Sequence, residues 1–92
     1  MARLSSSEIK SALSDLQGWE GDESGIKRSY KFKDFVESMG FVNRVSLLAE
    51  KADHHPDIEI SYNRVALTLV THSEGGVTSN DTEMAAKINA LG

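Results

Sequence analysis

Residues 50 to 57 read EKADHHPD and hold two of the chain's three histidines next to its one proline; the third histidine is His72. An imidazole with an ordinary pKa of about 6.5 can give or take a proton near neutral pH. Glu50 stands four residues before His54, so the two share a face if the helix reaches that far. A carboxylate in that position orients an imidazole and favours its charged form. Asp81 is placed to cap a later helix or to reach the same cleft. Such a set suits proton shuffling on a small polar molecule: a dehydration, a hydration or a tautomerisation.

Two other readings stand beside this one. A histidine at a helix end is ordinarily a cap or a surface residue. Imidazole is also a common zinc ligand, and Glu50 could complete a set. Against a metal, the adjacent His54 and His55 project in divergent directions, whereas usual ligand pairs are spaced i, i+3 or i+4 on a helix, or i, i+2 on a strand. No serine nucleophile is evident, and Gly75-Gly76 is too short for a phosphate-cradling loop.

The elements that must position these residues follow from periodicity. Ser5-Ser6-Ser7-Glu8 reads as a capping box, with Ile9, Ala12, Leu13 and Leu16 then on one helical face up to Gly18. Trp19 to Glu23 reads as a short strand. Ser24-Gly25 is a turn, and Ile26, Arg28, Tyr30 and Phe32 share a face of the next strand. Asp34-Phe35-Val36-Glu37 is a second capping box, opening a helix that runs to about Asp53, ahead of Pro56. Ile58, Ile60 and Tyr62, then Val65, Leu67 and Leu69, alternate with more polar neighbours as two half-buried strands. Asn80-Asp81-Thr82-Glu83 is a third capping box, leading into Met84, Ala85, Ile88 and Leu91.

The order α-β-β-α-β-β-α predicts the α+β class: a four-stranded antiparallel sheet with helices packed on one face, in a single domain over residues 1–92. If Asn63-Arg64 is the hairpin turn, Tyr62 opposes Val65, Ile60 opposes Leu67 and Ile58 opposes Leu69. Continued outward, that register sets His55 against His72. All three histidines then gather at the open end of one hairpin. The helix over residues 35–52 carries more apolar side chains than one buried stripe needs: Phe35, Val36, Met39, Phe41, Val42, Val45, Leu47, Leu48, Ala49 and Ala52. Part of it is expected to meet a second subunit.

Composition closes off several classes. A net charge of −4 argues against a nucleic-acid surface, and the alternating run from Ile26 to Lys33 reads as the solvated side of a strand. The absence of cysteine excludes disulfides, thiolate catalysis and cysteine-based zinc sites. MARLSSSEIK lacks the apolar core of a signal peptide, and no apolar run approaches the roughly 20 residues of a membrane span. A cytoplasmic location is the expectation, with no membrane partner.

Taken together, Glu50-x3-His54-His55-Pro56-x5-Tyr62-x9-His72-x8-Asp81 is similar to the signature of the pterin-4a-carbinolamine dehydratases. The phrases KFKDF, RVSLLAEKADHHPDIEISYNRV and LVTHSEGGVTSND resemble that family too, over about residues 19 to 91. The resemblance implies removal of water from 4a-hydroxytetrahydropterin to give quinonoid dihydropterin, in tetrahydrobiopterin recycling. It implies His54 and His72 as the acid–base pair, and His55 mainly as a substrate holder. Glu50 would tune His54, while Asp53 and the segment Val70-Thr71-His72-Ser73 would bind the pterin's amide-like edge. Asp81 belongs to the signature, as a helix cap or a site residue. No metal and no separate cofactor are implied. The family forms dimers and tetramers through helices, so a homodimer or homotetramer through residues 35–52 is expected, with Phe41, Val45 and Leu48 as candidate contacts. Some family members also bind proteins as dimerisation or assembly partners, which is the alternative function.

Overall fold

Helix starts here are set by side chains that stand in for missing backbone partners. In the computed structural model, which describes residues 2–91, Ser5 caps α1 (Ser6–Ser14). The Glu8 N–H donates to Ser5 Oγ at 3.2 Å, and the Ser5 N–H donates to Glu8 Oε1 at 2.8 Å. This is the expected reciprocal box. At α2 (Phe35–Ala52) only half of the expected box forms. The Glu37 N–H donates to Asp34 Oδ1, but the Glu37 carboxylate takes the N–H of Lys33, one residue further back.

The strands are β1 (Glu20–Asp22), β2 (Gly25–Lys31), β3 (Asp57–Ser61) and β4 (Arg64–Leu69), followed by a 3-10 turn at His72–Glu74 and α3 (Ser79–Asn89). They form one antiparallel sheet in the order β1-β2-β4-β3. The α+β class and the element order are as the sequence predicts. The first strand is shorter than expected, because Trp19 leaves the sheet to bury its ring, its Nε1–H donating to Asn89 Oδ1 at 2.9 Å. Ile26, Val65, Leu67 and Leu69 point from the sheet into a core completed by Ile9 and Leu16, Phe41, Val42 and Val45, and Met84 and Ile88. The opposite face, with Lys27, Ser29, Lys31 and Glu59, is exposed.

The hairpin register differs from the expectation by two residues. The turn is Tyr62-Asn63, so Ser61 opposes Arg64, Ile60 opposes Val65 and Ile58 opposes Leu67. A slide of two keeps every side chain on its face, so the apolar alternation is blind to it. The third strand decides. Phe32 donates its N–H to the Asn63 carbonyl at 2.7 Å and accepts from Asn63 Nδ2 at 3.1 Å, which pins Asn63 inside the turn. Tyr62 takes the left-handed conformation such a tight turn requires, at φ 49°.

The expected contacts on α2 are also revised. Phe41 and Val45 are 5% and 0% exposed and belong to the protomer's own core, while Leu48 packs partly against it. The apolar side chains left in solvent are Phe35, Val36 and Leu47, the last two more than 70% exposed (79% and 73%).

Tyr30 is packed between Phe41, at a 4.5 Å ring separation, and Phe32 at 6.0 Å. Its hydroxyl is buried without a hydrogen-bond partner. Burial pushes the phenol's pKa up, against a smaller opposing effect of Arg28. Removing an unsatisfied buried hydroxyl is nearly neutral or favourable, so Tyr30→Phe should leave urea stability unchanged or raise it by up to about 1 kcal/mol. The folded state holds the phenolic proton more tightly than the unfolded chain. That contribution is complete below about pH 10 and fades as pH rises through the folded value. The alkaline loss of stability should therefore be smaller in Tyr30→Phe, as read by unfolding curves at successive pH values.

Candidate active site

The site forms where the end of α2, the open end of the β3–β4 hairpin and the start of α3 come together. α2 ends in a left-handed residue, Asp53, at φ 51° and ψ 42°. The His54 N–H then donates back to the Ala49 carbonyl at 3.1 Å and the Asp53 N–H to Glu50 at 3.3 Å. This αL closure satisfies the last carbonyls and reverses the chain. Asp tolerates αL better than most side chains. Pro56 is buried and biases His55 to an extended backbone.

This reversal overturns the expected Glu50–His54 pair. His54 lies beyond the helix, so the i, i+4 geometry does not apply to it. Glu50 instead pairs with the neighbouring His55, Oε2 to Nε2, at an exposed position. His54 turns the other way, and its Nε2 lies 2.5 Å from Asp81 Oδ1. The His54 side chain is 15% exposed and that of Asp81 0%.

Asp81 is the buried centre of the arrangement. The N-cap of α3 is Thr78, two residues before the expected cap. The Asn80 N–H donates to Thr78 Oγ1 at 3.2 Å, and the Thr78 N–H donates to Asp81 Oδ2 at 2.8 Å. Thr71 Oγ1–H donates to the same Oδ2 at 2.8 Å. Since Thr71 has spent its only proton there, the 2.8 Å Thr71–Thr78 contact must be donated by Thr78. An ionised carboxylate accepts only, so the hydrogen on the His54–Asp81 contact belongs to Nε2. In the neutral ring the free lone pair is then on Nδ1. A sequence reading misses Thr78, because the Glu-ended box at Asn80 is the stronger pattern. Thr78-x-x-Asp81 is the same motif with a shorter acid.

His72 sits on the 3-10 turn with its side chain 78% exposed, and its Nε2 is 3.9 Å from Asp57 Oδ2. That turn is closed by Thr71 and Gly76, the Thr71 N–H donating to Gly76 O at 3.0 Å, with Gly75 left-handed at φ 71°. Val77 anchors the loop from two sides: its N–H donates to Glu23 O, and its carbonyl accepts from Leu4 N. The expected pairing of His55 against His72 does not form, because β3 ends at Asp57, opposite Thr68. Each histidine instead has its own carboxylate: Asp81 for His54, Glu50 for His55 and Asp57 for His72. Thr71, next to His72, bonds the carboxylate that holds His54, and Asp57, two residues after His55, faces His72. Val70 is half-buried and Ser73 exposed on the same segment. Among the described residues no group of three or more acidic or imidazole side chains is arranged to hold a metal ion, and no helix is long and apolar enough to cross a membrane.

The family model described as Pterin 4 alpha carbinolamine dehydratase matches residues 2–91. The chain belongs to that family. It is 47% identical over 89 residues to a provisionally named pterin-4-alpha-carbinolamine dehydratase of Sulfolobus acidocaldarius, covering 97% of this chain and 98% of that one. A provisionally named relative from Thermomicrobium roseum is 52% identical over 91 residues, covering 99% and 98%. A crystal structure of a transcriptional coactivator/pterin dehydratase from Brucella melitensis superposes with a TM-score of 0.91 at 50% identity, over 97% of each chain. A pterin dehydratase-like protein identified as a RuBisCO assembly factor in the alpha-carboxysome shares the fold alone, at TM-score 0.65 and 20% identity over 79% of this chain and 84% of that one.

Replacing Asp81 by Ala removes a helix cap and strands the buried Thr71 hydroxyl and Thr78 N–H. Urea unfolding should show a loss of about 3 kcal/mol. The near-isosteric Thr71→Val should cost about 1–2 kcal/mol. Wild-type stability in both variants would mean that the carboxylate is not the support described.

Proposed function

We propose that the chain, as one domain over residues 1–92, dehydrates 4a-hydroxytetrahydropterin to quinonoid dihydropterin in the cytoplasm by histidine acid–base catalysis. The observation that supports this most is the fully buried Asp81 carboxylate bonded to His54, within a chain of this family. The C4a hydroxyl is a poor leaving group until it is protonated. As the C–O bond breaks, a ring nitrogen lone pair forms the new C=N bond, and water departs. A nitrogen-bound proton must then be lost. One proton is given and one is taken, so the enzyme's total proton count is unchanged, and before the next turnover the donor regains a proton from solvent and the acceptor releases one to it.

His72, exposed beside Asp57, is assigned as the donor to the leaving hydroxyl, able to regain its proton from solvent. His54 is assigned as the acceptor, through Nδ1, with Asp81 holding Nε2–H and balancing the imidazolium that forms. This is the usual advantage of a carboxylate behind an imidazole. His55, paired with Glu50, is assigned to substrate holding. The backbone at Asp53 and along Val70, Thr71 and Ser73 is assigned to the pterin's amide-like edge. No metal and no separate cofactor enter this scheme.

A second role is favoured by one observation: Phe35, Val36 and Leu47 leave apolar area on α2 in solvent. We assign that face, rather than Phe41 and Val45, to self-association as a homodimer or homotetramer, or to a protein partner where the chain acts as a binding module.

Turnover of 4a-hydroxytetrahydropterin by the pure protein tests the first role. His54→Ala and His72→Ala should each lower it by about a hundredfold or more, the usual worth of a positioned acid or base. His55→Ala should act mainly on KM. Wild-type turnover in both His54→Ala and His72→Ala would remove the dehydratase reading.

A further inference from the structure

Away from the histidines lies a recess of about 320 Å³, within the size range of small-ligand sites. Its floor is aromatic and aliphatic: Phe32, Phe41 and Ile88, beside Tyr30. Its polar edge is cationic. Arg28 and Arg44 both line it, and no aspartate or glutamate does, in a chain whose net charge is −4.

Neither arginine has a carboxylate partner among the described residues. Arg28 is held rigidly by neutral groups. Its Nη1–H donates to Gln17 O at 3.0 Å and to Asn89 Oδ1 at 2.5 Å. Its guanidinium lies 4.6 Å from the centre of the Tyr30 ring. A methyl group at Gly18 would fall 2.5 Å from Arg28 Nε, so the glycine is what lets the guanidinium occupy this place. Arg44 is exposed on α2. The third polar group is the Tyr30 hydroxyl, buried and without a partner. Buried polar atoms are almost always satisfied, so a partnerless hydroxyl on a residue that lines the recess is a group that a bound molecule would satisfy once the side chain yields to it.

We propose that this recess binds a small organic anion, a carboxylate carried on a flat apolar body such as an aryl acid. A carboxylate has the acceptors that two guanidiniums and a phenol hydroxyl require, and a planar guanidinium matches it in two-bond geometry. The apolar body would lie on Phe32, Phe41 and Ile88, where a bare inorganic anion gains nothing. The site uses none of the residues assigned to the pterin reaction.

Calorimetric titration of the whole protein with benzoate tests this, with neutral benzamide and inorganic sulfate as comparison probes. Benzoate should bind saturably, at least about tenfold tighter than either. Arg44→Gln should weaken benzoate by about tenfold while leaving pterin dehydration and urea stability as in the wild type. Tyr30→Phe, which should fold normally, should weaken it by a few fold. Arg28→Lys keeps the charge but loses the planar fork, and should weaken it as well. Equal binding of benzoate and benzamide overturns the proposal, as does equal binding of benzoate and sulfate. So does wild-type benzoate affinity in both Arg44→Gln and Tyr30→Phe. An Arg44→Gln protein that sediments differently but takes up benzoate unchanged would assign the residue to a contact between copies, and would equally overturn it.

Discussion

One buried carboxylate organises the candidate site. Asp81 is removed from water, and partners reach it from three segments: His54 beyond α2, Thr71 after β4, and the Thr78 N–H at the start of α3. A carboxylate stripped of water without such partners would cost several kcal/mol. The same bonds that offset this cost fix the positions of the segments relative to one another. Helix capping and imidazole placement are therefore one interaction. An isolated cap would be worth about 1 kcal/mol; this one also decides which nitrogen of His54 is free.

The remaining elements make that meeting possible. Asp53 turns the chain out of α2 so sharply that His54 and His55 leave in different directions, one to the buried aspartate and one to the exposed Glu50. Asn63, bound to Phe32 across the sheet, sets where β3 begins and ends relative to β4. Val77, held by Glu23 on one side and Leu4 on the other, fixes the loop that carries His72. Asp53, Asn63 and Val77 act here by placing the chain. They determine whether imidazoles from distant parts of the sequence share a neighbourhood.

Periodicity made the architecture legible, because apolar residues at i, i+3 and i+4, or at every second position, are the direct cause of helix and strand burial. It failed where the cause is not periodic. The hairpin slid by two residues because alternation has a period of two, and only a contact from a third strand distinguishes the registers. Glu50 looked like the partner of His54 because spacing assumes a helix that continues, whereas one left-handed residue ended it. Phe41 and Val45 looked available to a second subunit because counting apolar residues does not say how wide a buried face a helix has. The pairing of His54 with Asp81 rests on the topology, which brings the residues after α2 to the start of α3. Thr78 and the arginine-lined recess lay beyond sequence reading: a short-acid cap is a weak pattern, and cavities have no linear signature.

With Asp81 holding the Nε2–H of His54, Nδ1 is the nitrogen left free for the proposed proton transfer. Nitrogen-15 NMR of histidine-labelled protein, at a pH where His54 is neutral, reads this directly. The Nε2–H form is expected for His54, with a strongly hydrogen-bonded proton signal that Asp81→Asn shifts or abolishes. A neutral His54 protonated at Nδ1, or an Nε2–H signal indifferent to Asp81→Asn, would contradict it.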